Sequence, residues 1–301
     1  MLLQPTKPTD TILGYTLREK IGAGGYGEVW VAEAPGGLTK AIKLIFGYHD
    51  EGRAQRELKA LNRIKQVRHP FLLSLERIDI VDSRLVVVTE LAERSLKDRY
   101  RECIEQGDAG IPREELLRYL TDAAEALDYI YESHSLLHLD VKPENLLLVG
   151  GHVKLADFGL VKDIQETAVS QMGGLTPTYA APEVFDGLPN HRSDQYSLAI
   201  VFQEMLTGKR PFSGATPAKL ALQHLHETPD LSLLSPGDQG PLRRALAKSS
   251  DARFPSCRAF IDELAQRRGR TRRRRADQDS SKRSDNTPVN TFSHTIATPM
   301  G

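Results

Sequence analysis

Cysteine is almost missing: Cys103 and Cys257 are the only two among 301 residues. Neither belongs to a CxxC pair or a His-rich cluster, which excludes a disulfide framework and a cysteine-based zinc site, so both read as ordinary buried side chains. Long apolar runs are missing too. Nothing approaches the roughly 18 consecutive residues that a membrane span needs, and residues 1–10 hold prolines and polar groups where a signal peptide needs an apolar stretch. A cytoplasmic protein is the expectation. Net charge is also lacking, since 40 basic residues balance 40 acidic ones. That balance hides an uneven spread: from Arg267 onward there are nine basic residues against three acidic, which leaves a net of −6 in residues 1–266. The run RRGRTRRRR can bind nucleic acid or anionic lipid, but the plainer reading is a solvated tail after the last helix.

Hydrophobic residues make up 40% of the chain, enough for sizeable cores, and the length suits two structural units. Residues 15–46 alternate apolar and polar positions around a glycine cluster, which predicts strand, tight turn, strand and a third strand bearing Lys43. Residues 51–67 carry Leu58, Leu61, Ile64 and Val67 at helical spacing with Arg and Lys between, an amphipathic helix that ends before His69-Pro70. Strands are expected at 77–81 and 85–89. The pattern then turns helical, with predicted helices at 113–133, 193–207, 217–226, 241–249 and 256–267. Strands at 146–149 and 152–155 flank Gly150-Gly151, a two-residue hairpin signal. This is an α+β arrangement of a sheet-rich lobe and a helical lobe, with a cleft at the join where ligands bind.

Four stretches carry chemistry. Gly22-Ala23-Gly24-Gly25-Tyr26-Gly27-Glu28-Val29 gives GxGxxGxV between two predicted strands, which favours a hairpin flap over phosphates rather than the start of a dinucleotide-binding helix. Lys43 follows on a strand and Glu57 on the amphipathic helix. A lysine on a strand is usually only solvated, but the glycine loop and a helix-borne carboxylate reverse that reading. The octet His138-Leu139-Asp140-Val141-Lys142-Pro143-Glu144-Asn145 is followed, twelve residues after Asn145, by Asp157-Phe158-Gly159. Ala181-Pro182-Glu183, Asp194 and Arg253 continue the series.

In this order the motifs resemble the protein kinase family, and more narrowly the eukaryotic-like (Hanks-type) Ser/Thr kinases of bacteria. The resemblance covers about residues 15–267. It implies a bilobal fold: a small antiparallel-sheet lobe with one key helix (15–91), a larger helical lobe (92–267) and an ATP cleft between them. Residues 1–14 would be an extension and 268–301 a basic tail. The activity implied is transfer of the γ-phosphate of ATP to protein Ser or Thr hydroxyls, autophosphorylation through self-association included. ATP and Mg²⁺ are the expected cofactors, with Mn²⁺ as an alternative metal.

The resemblance also implies individual roles. Asp140 is the catalytic base and Lys142 reaches the γ-phosphate, while Asn145 and Asp157 supply hard oxygen ligands for Mg²⁺. Ile21, Gly22, Gly24, Gly27 and Val29 belong to the flap. Lys43, paired with Glu57, holds the α- and β-phosphates. Adenine would lie between Val29 and Ala41 above and Leu147 below, against backbone at Glu90 and Ala92, with Thr89 at the rear. Leu61, His138 and Phe158 pack between the lobes, Glu183 and Arg253 form a structural ion pair, and Asp194 anchors the catalytic loop. Lys142, together with Thr176 ahead of Tyr179-Ala180-Ala181-Pro182-Glu183, points to Ser/Thr rather than Tyr acceptors. One residue departs from the pattern: Leu139 stands where many relatives carry Arg, which puts control by phosphate on Thr167, Ser170 or Thr176 in doubt. The competing reading is a pseudokinase that binds nucleotide or partners without turnover.

Overall fold

The computed structural model describes residues 7–24, 27–46, 58, 62, 65–82, 84–157, 162–163 and 177–266. Residues 11–90 carry a six-stranded antiparallel sheet. The strands β1 (Thr11–Ile12), β2 (Tyr15–Gly24), β3 (Gly27–Glu33), β4 (Thr39–Ile45), β5 (Leu75–Val81) and β6 (Arg84–Glu90) lie in the order β1-β2-β3-β4-β6-β5. Alternation sorts the side chains. Leu17, Trp30, Ile42, Leu44, Val86 and Val88 form one apolar layer, which Ile12 joins, so the segment before Tyr15 contributes to this core. Ile45, Leu75, Leu85 and Val87 form a second layer on the other face, against Leu58. The uninterrupted Leu85-Val86-Val87-Val88 of β6 follows from this, because a strand with apolar layers on both faces has no polar side.

Beyond β7 (Arg94–Ser95) the chain turns helical, with α1 (Leu96–Glu105), α2 (Arg113–His134), α3 (Pro182–Phe185), α4 (Ser193–Thr207), α5 (Pro217–His226), α6 (Pro236–Ala245) and α7 (257–266). The α1 start is set by a reciprocal capping box: Ser95 Oγ accepts from the Asp98 amide and Asp98 accepts from the Ser95 amide. A second core gathers Leu116, Leu120 and Leu127 of α2, Ile200 and Phe202 of α4, and Phe260 and Leu264 of α7. Two small sheets line its upper edge: β9 (Leu146–Val149) pairs with both β7 and β10 (His152–Leu155), and β8 (Leu136–Leu137) pairs with β11 (Lys162–Asp163). Gly150 and Gly151 turn the β9–β10 hairpin with φ of 60° and 81°, the double positive φ of the turn that matches strand twist.

One expected helix is misplaced. The 241–249 helix is in fact Pro236–Ala245, with Ser235 at the N-cap and Pro236 in the first turn. The helix thus starts at Pro236 and not at Pro241, which lies inside it, where Arg113, Asp238 and the Leu264 carbonyl lock the neighbouring turn onto α2 and α7. The expected 51–67 helix falls almost wholly outside the described residues, as do Glu57 and Leu61. Leu58 and Asn62 within it are helical. No helix among the described residues is long and apolar enough to cross a membrane.

Candidate active site

The sheet register collects the expected nucleotide residues. Directly opposed residues of antiparallel strands share a face. The pairs Val29↔Lys43, Lys43↔Val87 and Ala41↔Thr89 therefore put Val29, Ala41, Lys43 and Thr89 on one face, whereas Trp30↔Ile42 faces the opposite layer. The flap needs its third glycine for a steric reason: a Cβ on Gly27 would lie 2.3 Å from the Leu44 carbonyl oxygen. Gly22 opposes Val29 and Gly24 opposes Gly27, while Ile21 occupies a register shift and is exposed.

Below the sheet, β6 runs into residues 91–93, with Ala92 half-buried. Glu90 is fixed there by Lys154, which donates to both carboxylate oxygens at 2.7 and 2.8 Å, and by the Ser74 amide at 2.8 Å. Burial pushes the Glu90 carboxyl up, but Lys154 and Ser74 outweigh it and hold the group below the usual range. The clamp ties this strand end to β10, a link the motif reading missed. The Thr89 hydroxyl donates to the Glu90 carbonyl at 3.0 Å. Leu147, on β9, is half-buried opposite Lys154.

The loop after β8 is built around Asp140. Lys142 Nζ donates to Asp140 Oδ2 at 2.6 Å, and Asn145 Nδ2 donates to the same oxygen at 2.9 Å and to the Asp140 carbonyl at 2.8 Å. The backbone is pinned from beneath by Asp194 of α4, whose two oxygens accept from the His138 and Leu139 amides at 2.9 and 2.8 Å. His138 is fully buried. Its Nδ1 accepts from the Asp140 amide at 3.3 Å, so Nε2 carries the hydrogen, which goes to the Ala156 carbonyl at 3.0 Å. Both ring nitrogens are committed to backbone, and the ring braces the loop against the strand leading to Asp157. Leu139 is buried with φ of 61°, left-handed backbone that is costly for a branched side chain and is held by the Asp194 contact.

Asp157 also has positive φ, 62°. Its Oδ1 accepts from Lys43 Nζ at 2.7 Å, which brings the sheet cation onto the helical lobe's carboxylate. Burial pushes the Asp157 carboxyl up; Lys43 at contact distance, with Lys142 behind it, reverses this and holds the group below its ordinary pKa. The expected Lys43–Glu57 pair, like Phe158 and Thr176, involves positions outside the described residues. No cluster of three or more His, Cys, Asp or Glu able to hold a metal occurs among the described residues. Asn145 and Asp157 offer an amide and a carboxylate oxygen, hard donors of the kind that a small hard cation takes together with phosphate and water.

Farther from the cleft, Glu183 of α3 meets Arg253 through two contacts of 2.7 and 2.8 Å. The guanidinium also donates to the Ala247, Arg192 and Lys248 carbonyls and lies over the Tyr196 ring. Arg253→Met should strand the Glu183 carboxylate and cost about 3–5 kcal/mol, read as a lower midpoint in urea. An unchanged midpoint would show that the pair contributes nothing to the fold.

The chain matches the family described as protein kinase domain over residues 15–278. It is 31% identical over 291 residues to the serine/threonine-protein kinase PknF of Mycobacterium tuberculosis, covering 88% of this chain and 58% of that protein. It is 28% identical to the probable serine/threonine-protein kinase PknB of Lactococcus lactis, covering 83% of this chain and 40% of that protein. This chain therefore spans about half the length of these curated relatives. Among solved structures, the Mycobacterium tuberculosis PknI kinase domain superposes with a TM-score of 0.71 at 28% identity, covering 88% of this chain and all of that one. The motif order, the two-lobed architecture and these matches agree: this chain belongs to the protein kinase domain family.

Proposed function

We propose that the chain is a protein-serine/threonine kinase that uses MgATP, and the observation carrying this reading is the Asp140 carboxylate, aimed by Lys142 and Asn145 across from the Lys43–Asp157 contact. Adenine would lie under Val29 and Ala41 and over Leu147, and read the backbone at Glu90 and Ala92. Lys43 would exchange its contact with Asp157 for the α- and β-phosphates, steadied by Glu57. Asn145 and Asp157 would hold Mg²⁺, which neutralises the phosphates. The acceptor hydroxyl donates to Asp140 as its oxygen forms a bond to the γ-phosphorus; the bond from that phosphorus to the β,γ-bridging oxygen breaks, ADP leaves, and the proton passes to Asp140. Lys142 sits where it can follow the charge on the transferred group. The kinase unit would be residues 15–267, acting in the cytoplasm where ATP is supplied, and pairing of two copies would allow autophosphorylation. Incubation with γ-labelled ATP and Mg²⁺, followed by acid hydrolysis, tests the acceptor class: label on phosphoserine and phosphothreonine is expected, and label on phosphotyrosine alone would contradict the reading.

Position 139 bears on control. With Leu there, residue 139 supplies no guanidinium beside Asp140, and Arg192 is engaged by Asp251 at 2.7 Å and the Ser250 carbonyl at 3.2 Å. A phosphate on Thr167, Ser170 or Thr176 lacks the bidentate partner whose charge-assisted hydrogen bonds normally contribute about 1.5–3 kcal/mol each. Phosphatase-treated protein should keep most of its initial rate. A tenfold or greater gain on phosphorylation would mean that another cation, such as Arg192 or Lys162, takes the missing arginine's part.

A further inference from the structure

Every polar group of Glu90 is engaged. Its amide donates to the Ser74 carbonyl at 3.2 Å, its carboxylate accepts from the Ser74 amide and from Lys154, and its carbonyl accepts from the Thr89 hydroxyl. Thr89 stands on the cleft face of the sheet, opposite Ala41. The Glu90 carbonyl oxygen therefore lies on the cleft side, with one lone pair to spare among the described residues. Lys40 is opposite Glu90 in the register, but its ammonium is engaged by Glu76, which leaves Lys154 to neutralise the Glu90 carboxylate. The Lys154 and Glu90 side chains are 18% and 22% exposed, so this pair is largely shielded from solvent.

The chain is fixed a second time three residues on. The Glu93 amide donates to the Leu148 carbonyl at 2.9 Å, and the Glu93 carboxylate accepts from the Gly150 amide at 2.8 Å. Both carboxylates are thus held by the β9–β10 hairpin, Glu90 through Lys154 on its second strand and Glu93 through its turn. Only Leu91 and Ala92 lie between the two anchors. With both in place the Glu90 carbonyl has little freedom to re-aim or withdraw; released from Lys154, Glu90 can turn about its own backbone. Supporting hydrogen bonds of this kind decide whether a recognition group keeps its direction.

We propose that Lys154 is a positioning residue that makes the cleft select adenine over guanine: by holding the Glu90 carboxylate, it keeps the Glu90 carbonyl aimed into the cleft as a fixed acceptor. This rests on the kinase reading above. The C6 amino group of adenine donates to such an acceptor. Guanine carries an oxygen at that place, and two acceptors face to face leave both unpaired. The effect of Lys154 reaches the nucleotide through Glu90, so its loss acts on the choice of base and not on the transfer step at Asp140.

The test is steady-state kinetics of the full chain with Mg²⁺, dephosphorylated casein as acceptor and γ-labelled ATP or GTP as donor, for wild type, Lys154→Met and Lys154→Arg. Wild type should favour ATP by about a hundredfold in kcat/KM, the scale on which a buried acceptor left unpaired is felt. In Lys154→Met that preference should fall about tenfold, the factor that one hydrogen bond of ordinary strength gives, through a higher KM for ATP with kcat within twofold. Lys154→Arg, whose fork meets both carboxylate oxygens, should restore most of the preference. Equal use of the two nucleotides by wild type, a parallel rise of both KM values in Lys154→Met, or an Arg variant no better than Met would each overturn the proposal. If Lys154→Met does not fold, the double variant Lys154→Met/Glu90→Met, which leaves no charge unpaired, should show the same tenfold loss of preference, and an unaltered preference there overturns the proposal. No label on casein from either nucleotide in wild type overturns the kinase reading and this proposal together, whereas label from ATP with an unaltered preference in the variant overturns this proposal alone.

Discussion

Asp140→Asn should lower phosphate transfer by about 10²- to 10⁴-fold, the usual contribution of a positioned base, while MgATP affinity stays near wild type. The substitution is nearly isosteric and removes the ability to take the acceptor's proton. The loop should keep its shape, because its backbone is held by Asp194 and His138 and not by the Asp140 carboxylate. Lys142 and Asn145 can still donate to the amide oxygen that replaces Oδ2. The loss should therefore appear in kcat with little change in ATP KM, the pattern of an interaction made in the transition state. A variant that retains more than a tenth of wild-type activity would remove Asp140 from the role of base.

Asp157→Ala should act through the nucleotide instead. It deletes the carboxylate proposed for Mg²⁺ and the group that now holds Lys43 at 2.7 Å. Mg²⁺-dependent binding should weaken, and turnover should fall by about 10²–10³-fold, the scale on which removal of one electrostatic stabiliser is felt. The fold should change little: Lys43 and Asp157 are 34% and 37% exposed, and pairs that open to solvent contribute within about 1 kcal/mol. An ATP titration with and without Mg²⁺, read by the fluorescence of Trp30, the one tryptophan of the chain, separates the two effects. An affinity for MgATP equal to wild type would count against a metal role for Asp157.

The parts of this site that were legible in the sequence are those written locally. Alternation along residues 15–46 predicted the strands that carry Val29, Ala41 and Lys43, the family resemblance supplied their place and that of Thr89 around a nucleotide, and the octet around Asp140 with the Asp157 triplet named the polar groups of the helical lobe. The hairpin at Gly150-Gly151 could be read because left-handed backbone at two successive residues selects glycine. What escaped depends on contacts across long separations, such as Lys154 with Glu90 and Tyr179 with Glu204. A buried polar pair follows no period, so neither partner announces the other. His224 is hidden in the same way, as its sequence context is an amphipathic helix and only the fold brings Tyr196, Phe212 and Phe185 around its ring. The start of α6 was misread for a different reason. Pro236 and Pro241 both satisfy the first-turn preference, and only the packing of Asp238 on Arg113 decides between them.

The central claim is that this cleft transfers phosphate and does not merely hold nucleotide. One sample of wild-type chain, given γ-labelled ATP and Mg²⁺, can be followed for nucleotide binding through Trp30 and for covalent label on acid-precipitated protein, with Asp140→Asn run beside it. Binding in both proteins, with label accumulating on Ser and Thr in wild type alone, is the predicted result; binding with no label in wild type would contradict the account and leave a nucleotide-binding pseudokinase.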